Sequence, residues 1–523
     1  MMKKNNDDFF DDSFEILDES LINNSEQNAD IPIRRKRITE ENAPDIEPEK
    51  PITQKKKKFN RYILNQTILF AFLFLGMIGY LVYFEYKDAD EVINNNYNKR
   101  QAILDKSVYR GEIRASNGEV LAKSITNADG SKTRIYPYGD LFAHAVGYNC
   151  NGKAGLELSA NFKLLTSNAN LLLQIKDDLF GDQHPGDSVI TTLDVNLQNS
   201  AYSAIGNNKG AIIAIDPSTG RILTMVSKPD FDPNTIESDW DYIVNEEGNT
   251  CLLNRATNGL YPPGSTFKLF TLLEYIHEHP NDYSNYTFDC SGTLTRGEYS
   301  IGCYNRNVHG HESLMDSFAY SCNSSFANIG LSLDMNKYKH LCKDLLFNSE
   351  LPFSMTYSKS DFKLNEKSST FEIMQTVIGQ GKTQITPLHL SLVASALANN
   401  GVLMRPYMID HVENVDGKVV KQYEPEKSKT LFSEEDAKKL SEFMGAVVSY
   451  GTGTKLQSSA YTAYGKTGTA QFDSGDNSHS LFMGYAENGS KKLAICVVME
   501  DMPAGSTWAV PAAREVFDTY FAS

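Results

Sequence analysis

An uncharged apolar stretch near the N-terminus constrains this chain more than any other feature. Residues 62–84 carry no charge, and as an α-helix they span roughly 34 Å, enough to cross a hydrocarbon core of about 30 Å. The apolar surface on every side, with Tyr62, Tyr80 and Tyr83 near the ends, favours a membrane span over a buried core helix. Its length and the charged residues that follow argue against a cleavable signal peptide. We therefore predict a single transmembrane signal-anchor helix over residues 62–84.

Charges on either side of this segment predict its orientation. Basic residues crowd its N-terminal side, at 55–58 and 61, whereas acidic residues follow its C-terminal end. Because positively charged flanks stay in the cytoplasm, we expect a cytoplasmic tail over 1–61 and an extracytoplasmic remainder. The tail is rich in charged residues and poor in core-forming ones, which predicts disorder. The basic run also suits anionic lipid or nucleic acid, but a net charge of −16 argues against a nucleic-acid-binding protein.

Beyond the membrane segment the sequence pattern divides into two parts. Residues 85–195 combine a helical stalk pattern with short strand-like pieces, including an Asn-Gly hairpin signal at 117–118, and predict a small irregular β-rich platform. Residues 196–523 contain two apolar hairpins, over 210–226 and 480–499, with helical patterns between them. Strands at both ends of a helical region predict an α+β domain with a central antiparallel sheet flanked by helices.

A Ser-x-x-Lys pair lies where a Pro-Pro-Gly turn gives way to an apolar helical run. Ser265 is therefore expected near a helix N-terminus, with Lys268 one turn further along the same face. A serine hydroxyl needs an adjacent base to act as a nucleophile, and a lysine desolvated in a cleft can supply that base. Taken alone, the pair is more often a helix cap and a solvated lysine.

Two further motifs change this balance. Ser321 and Asn323 belong to a Ser-Cys-Asn segment that precedes an apolar helical pattern, and the Lys-Thr-Gly-Thr segment at 466–469 has the pattern of an edge strand. Each alone fits an ordinary cap or strand. The ordered set Ser-x-x-Lys, Ser-x-Asn and Lys-Thr-Gly in an exported chain resembles the penicillin-binding proteins and serine β-lactamases.

The resemblance reaches beyond these three motifs. Over roughly residues 106–523 the chain is similar to class B penicillin-binding proteins, the monofunctional transpeptidases that cross-link bacterial peptidoglycan. There is no room for a glycosyltransferase domain between the membrane helix and the platform, which separates the chain from the bifunctional class. Further segments that carry the resemblance are Arg110-Gly111, Gly155-Leu156-Glu157, residues 191–194, residues 210–217, Gly379-Gln380-Gly381, Thr386-Pro387 and residues 450–453.

The resemblance implies how an acyl-enzyme would form. Ser265 would attack the penultimate D-Ala carbonyl of a stem peptide ending in D-Ala-D-Ala, and β-lactams would acylate the same serine. Lys268 would accept the Ser265 proton, a role that is disputed across this superfamily. Ser321 would relay a proton to the leaving amine, and Asn323 would hold both Lys268 and the substrate amide.

The resemblance also implies how the substrate would be bound. Lys466 would supply positive charge, while Thr467 and Thr469 would bind the terminal carboxylate on a strand that contains Gly468. The backbone N–H groups of Ser265 and Thr469 would form the oxyanion hole. Neither a metal nor an organic cofactor is implied, and the expected partner is a polytopic SEDS-type glycan polymerase in the membrane.

Three other functions compete with a transpeptidase. The first is a membrane-anchored β-lactamase or β-lactam sensor, in which hydrolysis needs a group that activates a deacylating water. The platform and the Gly155-Leu156-Glu157 motif disfavour it, because they belong to transpeptidases. The second is a carboxypeptidase, whose chemistry is close to that of a transpeptidase except that it passes the acyl group to water. A degenerate member acting only as a scaffold is disfavoured by intact motifs.

The exported cysteines leave several readings open. Cys290 and Cys303 could form a disulfide, or with His309 and His311 they could bind zinc. Unpaired structural cysteines explain them at least as well, so the sequence alone predicts no metal. Cys322, inside the Ser-x-Asn motif, is expected to be a small buried side chain.

Overall fold

A computed structural model describes residues 53–87, 108–170, 179, 183–471 and 478–522. The chain divides into two compact units, Met1–Val82 and Tyr83–Ser523. Most of the predicted cytoplasmic tail and nearly all of the predicted stalk helix lie outside the described residues.

The first helix that the structure describes, α1, covers Thr53–Lys87. Its segment Arg61–Phe84 has a mean hydropathy of 2.2 and no buried residues, so by length and composition it can cross a membrane. The predicted span of 62–84 lies within it. The helix begins at Thr53, however, where we predicted a disordered tail up to residue 61. Lysine is a good helix former, and a helix already nucleated by the apolar stretch extends at little cost.

The larger unit mixes helices and strands. Its remaining α-helices, numbered α2–α15 in chain order, are Ala143–Val146, Gly155–Ser159, Asn161–Leu164, Val195–Ile205, Ile236–Asn245, Arg255–Asn258, Lys268–Glu278, Leu314–Ala319, Asn323–Gly330, Met335–Asp344, Thr370–Thr376, Pro387–Ala398, Glu434–Ser449 and Ala509–Ala522. Its strands, β1–β19, are Val108–Tyr109, Ile113–Arg114, Val120–Thr126, Lys132–Ile135, His184–Pro185, Ser188–Thr191, Gly210–Ile215, Ile222–Lys228, Thr287–Cys290, Thr293–Arg296, Tyr299–Gly302, Gly310–Ser313, Val402–Met404, Ile409–Glu413, Val419–Gln422, Lys427–Thr430, Thr462–Gln471, Ser478–Asn488 and Lys491–Met499.

A five-stranded antiparallel sheet is the centre of this unit, in the order β17-β18-β19-β7-β8. Alternate residues of β7 face opposite sides: Ile212 belongs to the core beneath α5 and α15, and Ile213 to the core that contains α13. Each fully buried isoleucine contributes roughly 1.5–3 kcal/mol to folding. Both apolar hairpins and the predicted α+β class are confirmed, because buried apolar strands need helices on both faces.

A second sheet of six strands forms the platform, in the order β15-β14-β6-β2-β3-β4. Strands β2 and β3 form the antiparallel pair across the Asn-Gly turn, as predicted. Two of its strands, β14 and β15, come from residues 409–422, which the sequence pattern assigned to the other part of the chain. Local patterns do not report which distant strand completes a sheet.

A buried ion cluster around Glu157 stabilises this platform. Its carboxylate accepts hydrogen bonds from Arg110 Nε at 2.6 Å and from Arg134 Nε at 2.7 Å. Glu157 is fully buried, and its charge is compensated by the two guanidinium groups. The Arg-Gly and Gly-Leu-Glu motifs therefore hold the platform together rather than supply chemistry.

Candidate active site

Ser265 lies in a one-turn 3-10 helix, Gly264–Phe267, that leads directly into α8. Gly264 has a φ of +53° and donates its N–H to Gly379 O at 2.9 Å. A Cβ at Gly264 would lie 2.7 Å from Thr469 O, so the turn that carries Ser265 is packed against β17. Ser265 is half-buried.

Strand β17 carries the Lys-Thr-Gly-Thr segment along an edge of the central sheet, as the sequence pattern indicates. A Cβ at Gly468 would lie 3.1 Å from Pro263 O and from Thr266 Cγ2, which explains why glycine stands there. Thr467 Oγ1 lies 2.6 Å from Thr452 Oγ1. The N–H of Gly505 approaches Thr469 Oγ1 at 3.4 Å.

The Ser-Cys-Asn segment turns sharply before helix α10. Ser321 has a φ of +61°, a left-handed conformation that costs a non-glycine residue about 1–3 kcal/mol and tends to occur at functional sites. Cys322 is the N-cap of α10, and its sulfur accepts from Ser325 N. Asn323 Nδ2 donates to Gly302 O at 2.9 Å, so its amide orientation is set by β11.

Two fully buried lysines converge on Ser321. Lys268 Nζ donates to Ser321 O at 2.7 Å, to Ser321 Oγ at 3.1 Å and to Asn323 Oδ1 at 2.7 Å. Lys466 Nζ donates to the same Ser321 Oγ at 2.9 Å. The structure thus brings the lysines of the Ser-x-x-Lys and Lys-Thr-Gly motifs together around the serine of the Ser-x-Asn motif.

Burial changes the protonation of both lysines. It lowers the pKa of Lys268 to about 8. Burial, and then the charge of Lys268, holds the pKa of Lys466 well below its usual value. Because the neutral form of Lys268 is accessible near neutral pH, its amine can accept a proton from a neighbouring hydroxyl.

A cleft of about 380 Å³ opens beside Asn323. Its lining is uncharged and mostly polar: Ser300, Ile301, Gly302, Asn323, Gln375, Ile378, Gln380, Gly381 and Gln471. Gln380 Nε2 donates to Thr469 O at 3.3 Å. Sequence reasoning gave no role to Gln380 or to Thr452, although both lie in segments that carry the family resemblance. Only their proximity to β17 identifies them.

Cysteine and histidine side chains gather behind the Ser-Cys-Asn segment. Cys290 and Cys303 are not bonded, since their sulfurs are 3.7 Å apart, whereas a disulfide needs about 2.05 Å. His309 approaches this cluster, but His311 is exposed and bonds Asp289 at 2.8 Å instead. Cys322 is fully buried as expected, yet its sulfur faces Cys303 at 3.7 Å.

Comparisons with known proteins agree with this geometry. The family described as penicillin binding protein transpeptidase domain matches residues 210–518, and the penicillin binding protein A dimerisation domain matches residues 110–189. The peptidoglycan D,D-transpeptidase PbpA of Mycolicibacterium smegmatis is 28% identical over 454 residues, which cover 82% of this chain and 92% of that protein.

Solved structures show the same likeness. The D,D-transpeptidase domain of a peptidoglycan glycosyltransferase from Eggerthella lenta is 29% identical, with a TM-score of 0.71 over 79% of this chain and 98% of that one. The imipenem acyl-enzyme complex of penicillin-binding protein A from M. tuberculosis is 25% identical, with a TM-score of 0.71 over 80% of this chain and 99% of that one. The transpeptidase match spans more than half of the chain, and the chain therefore belongs to the class B penicillin-binding proteins.

Proposed function

We propose that this protein is a membrane-anchored serine D,D-transpeptidase that cross-links peptidoglycan stem peptides through an acyl-enzyme on Ser265. The convergence of two buried lysines on Ser321, beside the turn that carries Ser265, is the observation that supports it most strongly. Such a pair is costly to bury, and a chain that needed only a stable core would fill the space with apolar side chains.

In the acylation step, Ser265 Oγ attacks the penultimate D-Ala carbonyl and its proton passes to neutral Lys268 Nζ. The C–N bond to the last D-Ala then breaks, and the leaving amine takes a proton relayed through Ser321 Oγ. The hydrogen bonds from Lys268 and Lys466 to this oxygen support the relay. An amine of a second stem peptide then attacks the ester carbonyl and forms the cross-link. The bond to Ser265 Oγ breaks, and the proton that the amine loses restores the Ser265 hydroxyl.

Substrate orientation is assigned to β17. An extended peptide can add to a sheet edge through main-chain hydrogen bonds, and β17 is the edge strand of the central sheet. Lys466, Thr467 and Thr469 would hold the terminal carboxylate. The N–H groups of Ser265 and Thr469 would bind the oxyanion, with each donor worth about 3–4 kcal/mol in comparable hydrolases.

Labelled penicillin tests this assignment on the full-length chain in detergent. We expect a stable adduct on wild type and none on Ser265→Ala, while Ser238→Ala, an exposed serine on α6, keeps the adduct. Loss of label in Ser265→Ala, with label retained in Ser238→Ala, supports the acyl-enzyme. An adduct that persists on Ser265→Ala would contradict it by placing acylation on another residue, no adduct on wild type would favour a scaffold, and rapid release of label from wild type would favour a β-lactamase.

Products distinguish a transpeptidase from a carboxypeptidase. With a D-Ala-D-Ala stem peptide and an amine acceptor, mass spectrometry should detect the new amide at the expense of the hydrolysed acid. Acid alone at every acceptor concentration would assign the chain as a carboxypeptidase.

Topology and partner extend the proposal. The basic flank supports an N-terminus in the cytoplasm, with residues 85–195 as stalk and platform and 196–523 as the transpeptidase domain outside. Protease added to intact spheroplasts should then digest all but the N-terminal tail and α1.

A polytopic SEDS-type glycan polymerase is the proposed membrane partner, and site-specific cross-linkers along α1 should capture it.

A further inference from the structure

Two exposed tyrosine rings lie side by side next to the serine on which both lysines converge. Tyr320 is 43% exposed and Tyr450 is 42% exposed. Their ring centroids are 5.8 Å apart, with an angle of 66° between the ring planes. Tyr320 directly precedes Ser321, and the His309 imidazole lies parallel to its ring at a centroid distance of 6.3 Å. Exposed apolar side chains that cluster, rather than lie scattered, mark binding surfaces.

Contacts between two of the motif segments hold this tyrosine pair in place. The Tyr-Gly-Thr-Gly segment follows α14, and a Cβ at Gly451 would lie 2.3 Å from Ala319 O, so the segment packs closely against the end of α9. Thr452 N donates to the same Ala319 O at 3.2 Å. Thr452 Oγ1 also lies 2.6 Å from Thr467 Oγ1 on β17. The pair is therefore fixed relative to both the Ser-Cys-Asn segment and β17.

A carboxylate lies beside the two rings. Asp316 Oδ1 accepts a hydrogen bond from Tyr450 Oη at 3.2 Å, and Asp316 Oδ2 accepts one from Ser313 Oγ at 2.7 Å. Both donors are neutral hydroxyls, so neither compensates the negative charge. Aromatic ring faces attract cations, organic ammonium groups among them, within about 6 Å of the centroid. Because the two centroids are only 5.8 Å apart, one ammonium can lie within that range of both.

The proposed reaction needs an amine at this place. In acylation an amine leaves and takes a proton through Ser321 Oγ, and in cross-linking another amine enters. The two steps are one reaction run in opposite directions, so microscopic reversibility brings the incoming amine along the path of the leaving one, to the same proton relay. An alkylamine such as that of a lysine side chain has an ordinary pKa of about 10.4. It therefore arrives as an ammonium.

We propose that Tyr320 and Tyr450 bind the ammonium group of the second stem peptide, with Asp316 supplying the complementary charge. The inference rests on the proposed transpeptidase function and names its acceptor site. The bound ammonium first releases one proton to solvent. The neutral amine then attacks the ester carbonyl, forms the new C–N bond and loses a second proton through Ser321 Oγ. The C–O bond to Ser265 breaks, and Ser265 Oγ takes up that second proton.

Competition between amine and water for the acyl-enzyme is the direct test, on the full-length chain in detergent. The donor is a D-Ala-D-Ala stem peptide, the acceptor is a peptide with a free lysine side chain, and mass spectrometry measures the ratio of amide to acid. Tyr320→Leu and Tyr450→Leu should each lower this ratio about fivefold or more, because leucine is apolar but has no aromatic face. Since both products come from one acyl-enzyme, a change in the acylation rate cancels in the ratio.

Two further variants show whether the ring face is responsible. Tyr450→Phe keeps the face and loses only the hydroxyl, so its ratio should stay within about twofold of wild type. Tyr242→Leu is the matched control, because it removes a 65% exposed tyrosine on α6 and should leave the ratio unchanged. Equal loss in Tyr450→Phe and Tyr450→Leu would overturn binding by the ring face.

Tetramethylammonium gives a test that needs no variant. It has the charge that the site recognises, but it cannot attack a carbonyl because its nitrogen has no lone pair. It should lower the amide-to-acid ratio of wild type in a saturable way, whereas tert-butanol, a neutral molecule of similar size, and sodium chloride at equal ionic strength should not. In Tyr450→Leu, tetramethylammonium should have no further effect.

The outcomes separate this acceptor site from the proposed function. Unchanged ratios in both leucine variants, or no effect of tetramethylammonium on wild type, would overturn the acceptor site while leaving the transpeptidase activity intact. Acid alone from wild type at every acceptor concentration would instead overturn the transpeptidase, and the acceptor site with it. If circular dichroism shows that the leucine variants fail to fold, the tetramethylammonium titration of wild type decides alone.

Discussion

At the scale of single residues, Lys268 sets the pH at which acylation proceeds. Its pKa is lowered to about 8 by burial, and only the neutral amine accepts the Ser265 proton. The rate of acylation by labelled penicillin should therefore rise with pH and level off above about 8. Lys268→Arg should abolish acylation at every pH, because a guanidinium does not deprotonate in this range. A rate that is flat between pH 6 and 9 would show that another group is the base.

Lys466 offers a second prediction at this scale. Its ammonium is fully buried and lies near that of Lys268, so burial and repulsion disfavour its charged form. Lys466→Met should remove acylation yet raise the free energy of unfolding by about 1–3 kcal/mol, since apolar replacement of buried charge is often stabilising. Denaturant titration of both proteins measures the change. A destabilised Lys466→Met variant would mean that the hydrogen bonds to Ser321 Oγ and Thr467 O outweigh the burial cost.

At the scale of elements, the turn before α8 must lie flat against β17. Gly264 has a positive φ and backbone neighbours from Thr469 where a Cβ would go. Gly264→Ala should therefore shift Ser265 and lower the acylation rate at least tenfold, with far-UV circular dichroism unchanged. Gly445→Ala is the matched control, because its Cβ would meet only the Tyr464 ring at 3.5 Å. In helix α14 that substitution should stabilise by about 1 kcal/mol.

The platform depends on its buried ions in a comparable way. Glu157→Gln leaves the guanidinium groups of Arg110 and Arg134 without their carboxylate, and such a loss should cost about 3–5 kcal/mol. Glu112→Gln removes the half-buried partner of Arg114, in a pair that is partly open to solvent, and should cost less than about 1 kcal/mol. Thermal unfolding of both variants compares the two. Equal shifts in the unfolding midpoint would contradict the structural role assigned to Glu157.

For the whole molecule, local patterns predicted what depends on neighbouring residues. The apolar helix α1, both apolar hairpins and the turn that carries Ser265 follow from periodicity, glycine and proline within short windows. Long-range contacts were not predictable in this way. The addition of β14 to the platform and the approach of Cys322 to Cys303 join segments whose separation leaves no periodic signal. The start of α1 at Thr53 was missed because a charged flank reads as disordered unless the adjoining helix is considered.

The shared platform sheet predicts cooperative unfolding of residues 108–522. Strand β14 pairs with β6, and β6 pairs with β2, so residues on both sides of the predicted domain boundary at 195 bury their side chains in one core. Val412, on β14, is 3% exposed within it. Val412→Ala should therefore lower two temperatures together: the one at which labelled-penicillin binding is lost, and the unfolding midpoint measured by circular dichroism. This should happen although Val412 is not part of the active site. If penicillin binding survives a first unfolding transition, the transpeptidase part is stable without the platform, and the two parts behave as independent domains.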